Sequence, residues 1–248
     1  MTYKPDIFIT TTEKDYNKLP YVLDSINRNI EYNKIIFCSP TEIPLDVEQF
    51  RDKEILDIDI SRFKYRKFWV YQQFLKLFQD ITSDFYITID SDTIINKPLK
   101  FFQFVGLQGE IEAFKPIWYK GWNQNNAPYY EYNKAMFGFD RVVNHTFLAD
   151  MNFFDRNTIN GMLHDYNYTV DSFIEKSFDV INDHCYPSEA DIYGNYYSKH
   201  ISPDLYIIKD LKTECVGKNG LWTKEEIENR ISSRINSDLD TFSLHSWT

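Results

Sequence analysis

The chain has 248 residues, of which 43% are hydrophobic and 17% aromatic, and its formal net charge is −10. That length supports one large α/β domain, or one domain with an appended subdomain, whose core needs no disulfide or structural metal. The acidic balance, with a pI of about 5.0, argues against an extended nucleic-acid surface, because such surfaces draw most of their affinity from basic groups on phosphate.

Other functional classes drop out as quickly. Cys38, Cys185 and Cys215 are odd in number and form no C-x-x-C pair, so they read as reduced thiols in a cytoplasmic protein. The first residues, Met1 to Asp6, include no apolar segment of a secretory leader. No run approaches the roughly 18 apolar residues of a membrane span, so a soluble protein is expected.

In chain order, residues 6–11 predict a short buried strand. Leu19, Val22, Leu23 and Ile26 then recur at helical spacing around Pro20. Residues 34–38 and 54–58 read as further strands. Val70, Phe74, Leu77 and Phe78 mark one face of a second helix, and residues 84–89 form the next strand. This β-α-β alternation predicts a mainly parallel sheet with helices on both faces. Ligands of such sheets bind beyond the carboxyl ends of strands, where Thr10, Thr11, Asp59 and Asp90 fall.

Beyond Pro98 the alternation fades. Residues 117–133, rich in Trp, Tyr and Asn, read as an ordered loop. Residues 151–154 suggest a strand, and 157–163 and 171–178 suggest helices. Ser188 is the N-cap of a helix over 188–198, and Thr223 with Glu226 forms a capping box.

With 23 aspartates, chance alone supplies about two D-x-D triplets, and the chain has three. Context separates them. Asp90-Ser-Asp92 follows the β-rich run Phe85-Tyr-Ile-Thr-Ile89 and precedes Thr93-Ile-Ile95. A carboxylate pair between apolar flanks is costly unless a cation compensates it. Asp57/Asp59 is followed by a basic segment, and Asp238/Asp240 lies in a polar one.

The run Lys67-Phe-Trp-Val-Tyr-Gln-Gln-Phe-Leu-Lys-Leu77, followed by Asp84-Phe-Tyr-Ile-Thr-Ile-Asp-Ser-Asp-Thr93, resembles GT-A glycosyltransferases of a poorly characterised bacterial and viral branch. Weaker pieces follow in order: Asn144-His145, Phe153-Phe-Asp-Arg156, and Ser188-Glu-Ala-Asp-Ile-Tyr-Gly-Asn195. The resemblance implies a GT-A-like, Rossmann-like α/β domain with a mainly parallel sheet. Residues 1–98 would form a nucleotide-sugar-binding half, and 99–248 an acceptor-binding and catalytic half. It also implies transfer of a monosaccharide from a nucleotide donor, expected to be a UDP-sugar. The acceptor would be a glycan, a lipid-linked saccharide or, in a viral protein, a modified nucleobase.

The same resemblance assigns residues. Asp92 would bind a divalent cation directly, with Asp90 on the ribose or the metal, and His245 would complete the metal shell. All-oxygen ligation with one imidazole suits Mn²⁺ or Mg²⁺. Thr10, Thr11 and Asp59 fall where the base and ribose bind. Ser91 lies between the paired aspartates, and Gln73 and Lys76 share a helix face turned toward the donor. Arg66 belongs to a basic island with Arg62, Lys64 and Lys67, suited to a phosphate or an acceptor. Glu189, with Asp191 as the alternative, is the expected catalytic base of an inverting reaction, although carboxylates also favour a helix's first turn for its own sake. Trp118, Trp122 and His145 are the acceptor-side candidates. Two other classes compete: a haloacid-dehalogenase-like phosphohydrolase, whose D-x-D normally ends the first strand, and a non-catalytic carbohydrate-binding module with a calcium site.

Overall fold

The computed structural model describes residues 4–106, 112–120, 127–139, 142–143, 146–147, 149–201 and 206–247. In chain order its elements are β1 (Asp6–Thr10), α1 (Leu19–Asn29), β2 (Ile35–Ser39), β3 (Glu48–Arg51), α2 (Asp52–Ile55) and α3 (Lys67–Phe78). Next come β4 (Phe85–Ile89), β5 (Thr93–Ile95), β6 (Phe102–Gly106), β7 (Glu112–Lys120), α4 (Ala127–Phe137) and β8 (Met151–Asp155). The remainder comprises α5 (Arg156–Asp165), α6 (Val170–Val180), α7 (Glu189–His200), β9 (Ile207–Asp210), β10 (Thr213–Asn219), α8 (Lys224–Arg234) and β11 (Thr241–Trp247).

The central sheet has the order β3-β2-β1-β4-β8. Its first four strands are parallel, and β8 adds antiparallel to β4. The expected α/β domain with a mainly parallel, helix-flanked sheet is therefore the observed one. Alternation along each strand feeds two cores. Phe8, Ile36 and Tyr86 pack with α3 and α4–α7 on one face. Ile7, Ile9, Phe37, Ile87 and Ile89 pack with α1, β5 and β11 on the other. Two three-stranded sheets, β10-β11-β5 and β6-β7-β9, complete the fold.

Two stretches differ from the sequence reading. Residues 54–58 are not a strand: the third strand is Glu48–Arg51, and a helical turn follows it. The Glu54 side chain accepts from the Arg51 N–H at 2.8 Å, which caps that turn and ends the strand. Residues 117–133 are not one loop, since their described parts belong to β7 and α4. Aromatic bulk there fills the core, where the Trp118 ring stacks on Tyr193 at 5.2 Å.

Candidate active site

Parallel pairing of β1 with β4 brings their carboxyl ends side by side, and the loops beyond them carry the acidic residues. After β4 the chain turns at once, with Asp90 N–H donating to the Asp150 carbonyl and Thr93 N–H to the Asp90 carbonyl. Strand β5 then pairs antiparallel with β11, with Thr93 opposite Ser243. The Leu244 N–H donates to the Asp92 carbonyl at 2.9 Å. This register sets His245 beside the acidic loop, with Nε2 4.0 Å from Asp92 Oδ1. On its other side, His245 Nδ1 lies 3.2 Å from Cys215 Sγ.

Two buried lysines hold the carboxylates. Lys76 of α3 places Nζ 2.5 Å from Asp90 Oδ1 and 3.2 Å from Glu189 Oε1 at the start of α7. Burial works against the Lys76 charge, but Asp90 and Glu189 outweigh it and keep the ammonium above its ordinary range. Lys18 is fully buried, pairs with Asp15 at 2.6 Å and donates to Ser246 Oγ at 3.0 Å. Its Nζ is 3.8 Å from Asp92 Oδ2. Ser91 Oγ donates to the other Asp15 oxygen at 3.2 Å.

The balance of charge in this cluster is negative. Asp15, Asp90, Asp92, Asp150 and Glu189 bring five carboxyl groups, against the ammonium groups of Lys18 and Lys76. Burial raises the Asp92 pKa well above its usual range, and the charges of Asp15 and Asp90 add to the effect against Lys18. Asp150 is also raised, by burial and by Asp90, although Ser243 donates to it at 2.7 Å. Burial likewise raises Glu189, with Lys76 opposing. Glu189 Oε2 is buried without a hydrogen-bond partner among the described residues. Burial is the main reason these carboxyls resist ionisation, and a hard divalent cation, which takes carboxylate oxygens, would oppose it. Asp92 and His245 approach each other to 4.0 Å, but among the described residues no three such side chains converge on one metal position as they stand.

Other predicted residues have definite places. Thr10 and Thr11 are buried at the end of β1, and Thr10 Oγ1 accepts from Gln72 Nε2 at 2.8 Å. Gln73 turns the other way, against α7, where its Oε1 accepts from Glu189 N–H at 3.5 Å. Asp59 is an exposed cap of the turn at Ile60–Arg62 and borders a cavity of about 540 Å³ together with Asp57 and Tyr71. Arg66, expected to contact a phosphate or an acceptor, lies at the entrance to α3 with its guanidinium over the Trp69 ring. Asp191 is fully buried, accepting from Thr146 Oγ1 at 3.2 Å and Phe147 N–H at 3.3 Å, so it holds the 146–147 segment in place. Trp118 is a core side chain, packed against Phe147, Phe153 and Tyr193. Trp122 and His145 lie outside the described residues.

Sequence reasoning passed over Asp15, Lys18, Gln72, Asp150 and Cys215. Asp150 had a usable signal, since it adjoins the apolar strand run Met151-Asn-Phe-Phe154 much as Asp90 adjoins its own. Lys18 had none, because nothing local distinguishes a buried lysine from a solvated one.

No protein-family model and no curated protein matches the chain. Among solved structures, the galactosyltransferase LgtC in complex with donor and acceptor sugar analogues superposes with a TM-score of 0.45 at 8% identity, covering 96% of this chain and 86% of that one. That likeness is too distant to assign a residue or an activity.

Proposed function

We propose that the chain is a divalent-metal-dependent glycosyltransferase that moves a monosaccharide from a nucleotide donor, a UDP-sugar, to a hydroxyl acceptor. The observation that carries this reading is the uncompensated carboxylate cluster at the joined carboxyl ends of β1 and β4, with an imidazole beside it. The resemblance of residues 67–93 to GT-A transferases supports it independently.

Asp90, Asp92 and His245 would hold the cation, which would supply the positive charge that offsets the donor's diphosphate and the departing nucleotide. Thr10 and Thr11, with Gln72 bonded to Thr10, bound the end of β1 and would meet the nucleoside, and Asp59, which borders a separate cavity, is the candidate for its ribose or base edge. Lys76 holds a positive charge beside Asp90, ready for a phosphate oxygen.

Glu189 acts as the base of an inverting transfer. Its carboxylate takes the proton of the acceptor hydroxyl as that oxygen bonds to the anomeric carbon. The bond from the sugar to the diphosphate breaks, and its electron pair leaves with the nucleotide. The raised pKa of Glu189 suits this task, since a base works best when its pKa approaches the operating pH.

The test is thermal unfolding with Mn²⁺ and a panel of nucleotides, since a ligand that binds only the native state raises its stability. A shift given by UDP with Mn²⁺, and lost in EDTA, is the expected result. No shift with any nucleotide would overturn the reading.

A further inference from the structure

Arg66 is an arginine in an uncommon place. Its backbone is left-handed, at φ 43° and ψ 40°, a region that residues other than glycine seldom occupy. Its guanidinium lies 4.4 Å above the Trp69 ring centre and 5.4 Å from that of Tyr186. It makes no ion pair or hydrogen bond with any described side chain. The cations around it are of two kinds. Arg62 is committed to Glu175 through two hydrogen bonds of 2.6 and 2.7 Å. Lys64 and Lys67 are exposed and, like Arg66, have no carboxylate partner among the described residues. Arg66 and Lys67 lie against rings, with Lys67 Nζ 5.1 Å from the centre of the Phe68 ring. Three cations without a carboxylate partner among the described residues, in a chain of net charge −10, suit an anion from outside.

The aromatic bed ties this cluster to the reacting end of the site. Trp69 stacks on Tyr129 at 5.9 Å with 18° between the rings, and Tyr129 meets Tyr186 edge-on at 5.4 Å. Along α3, Trp69, Gln73 and Lys76 share one face. Trp69 meets Tyr186, Gln73 meets the Glu189 N–H, and Lys76 meets the Glu189 carboxylate. One seam between α3 and the approach to α7 thus runs from Glu189 out to Arg66. The ten residue steps from the N-cap Arg66 to Lys76 span about 15 Å along the helix axis.

We propose that Arg66, backed by Trp69 and Tyr186 and flanked by Lys64 and Lys67, binds an oxyanion, phosphate or carboxylate, on the acceptor substrate. This rests on reading the site as a glycosyltransferase. The distance along the seam assigns the anion to a part of the acceptor remote from the hydroxyl that reacts. A guanidinium stacked on an indole keeps its N–H edge free and flat, the geometry that grips two oxygens of one anion. The substrate class is therefore an acidic saccharide or a sugar phosphate rather than a neutral glycan.

Binding is measured calorimetrically on the full chain in EDTA, which removes the metal-dependent donor site from the readout. Glucose 6-phosphate and glucuronic acid are the two probes, and methyl glucoside is the neutral control. At least one acidic sugar should bind more tightly than the control, and its affinity should fall with added salt. The Arg66→Gly variant should weaken that binding about tenfold, as expected for loss of a charge-assisted contact. Glycine accepts the left-handed backbone, so a folding defect will not mimic this loss. Binding of the phosphate alone identifies a sugar phosphate, and binding of the carboxylate alone identifies a uronic acid. Equal affinity of the acidic sugars for wild type and variant, or no preference over methyl glucoside, overturns the proposal. Mn²⁺-dependent UDP binding is read on both proteins in parallel, so failure of the transferase reading shows there and failure of the anion subsite shows only in EDTA.

Discussion

The main-chain N–H of Leu244 donates to the carbonyl of Asp92 at 2.9 Å, so the position of the next side chain, His245, is fixed by strand register rather than by a loop. If His245 is a metal ligand, its loss should weaken the metal without disturbing the fold. His245→Ala should raise the Mn²⁺ concentration needed for UDP binding by about tenfold or more. Titration of Mn²⁺ at fixed UDP measures this directly, and an unmoved midpoint would mean that the imidazole is not a metal ligand.

Lys76 is buried between Asp90 and Glu189. Removing one partner of a buried ion pair strands the other, a loss of about 3–5 kcal/mol in comparable cases. Lys76→Met should therefore lower unfolding stability on that scale. Adding Glu189→Gln to the same chain should recover part of it. Urea denaturation of the two single variants and the double variant gives the coupling, and strict additivity would contradict the pairing.

Glu189→Gln alone separates chemistry from binding. General-base catalysis supplies about 10² to 10⁴ in rate. The substitution should cut kcat by at least about a hundredfold and leave UDP affinity nearly intact. Product anomericity read by NMR is the independent check: retention of the donor's configuration would remove the need for this base.

The pH dependence has a definite sign. Asp92, Asp150 and Glu189 have folded-state pKa values raised by burial, so the folded state holds these protons more tightly than the unfolded chain. Their stabilising contribution is complete below the ordinary carboxylate range and is lost as pH rises through the raised values. Carboxylates shifted the other way, such as Glu226 beside Lys218, change their contribution only at acid pH. In the absence of metal, Tm should accordingly fall from pH 5 to pH 7, and Mn²⁺ should restore it more strongly at pH 7. A metal-free Tm that climbs over this interval would refute the account.

What could be read in advance was what local pattern dictates. The apolar run 85–89 predicted both β4 and the exit at which Asp90 and Asp92 stand, because strand and loop are contiguous. Ser188 and Thr223 cap their helices as expected, since a cap lies next to the backbone it satisfies. The same locality hid the rest. Lys76 meets Glu189 across 113 residues and Lys18 meets Ser246 across 228, and no window of sequence contains either pair. Trp118 misled for the opposite reason: the Trp-, Tyr- and Asn-rich stretch 117–133 reads as a loop on the acceptor side, while β7 turns the Trp118 indole inward.

The ammonium shared by Asp90 and Glu189 also bears on how distant relatives of this chain can be recognised. Three residues from three separate stretches, 76, 90 and 189, answer to one another, so drift at any of them shifts the tolerance of the other two. Lineages that keep the site should keep the trio, and lineages that lose the lysine should lose or neutralise a carboxylate in the same interval. A correlated triplet is therefore a better tracer of descent for this chain than a D-x-D triplet taken alone, since 23 aspartates supply about two such triplets by chance.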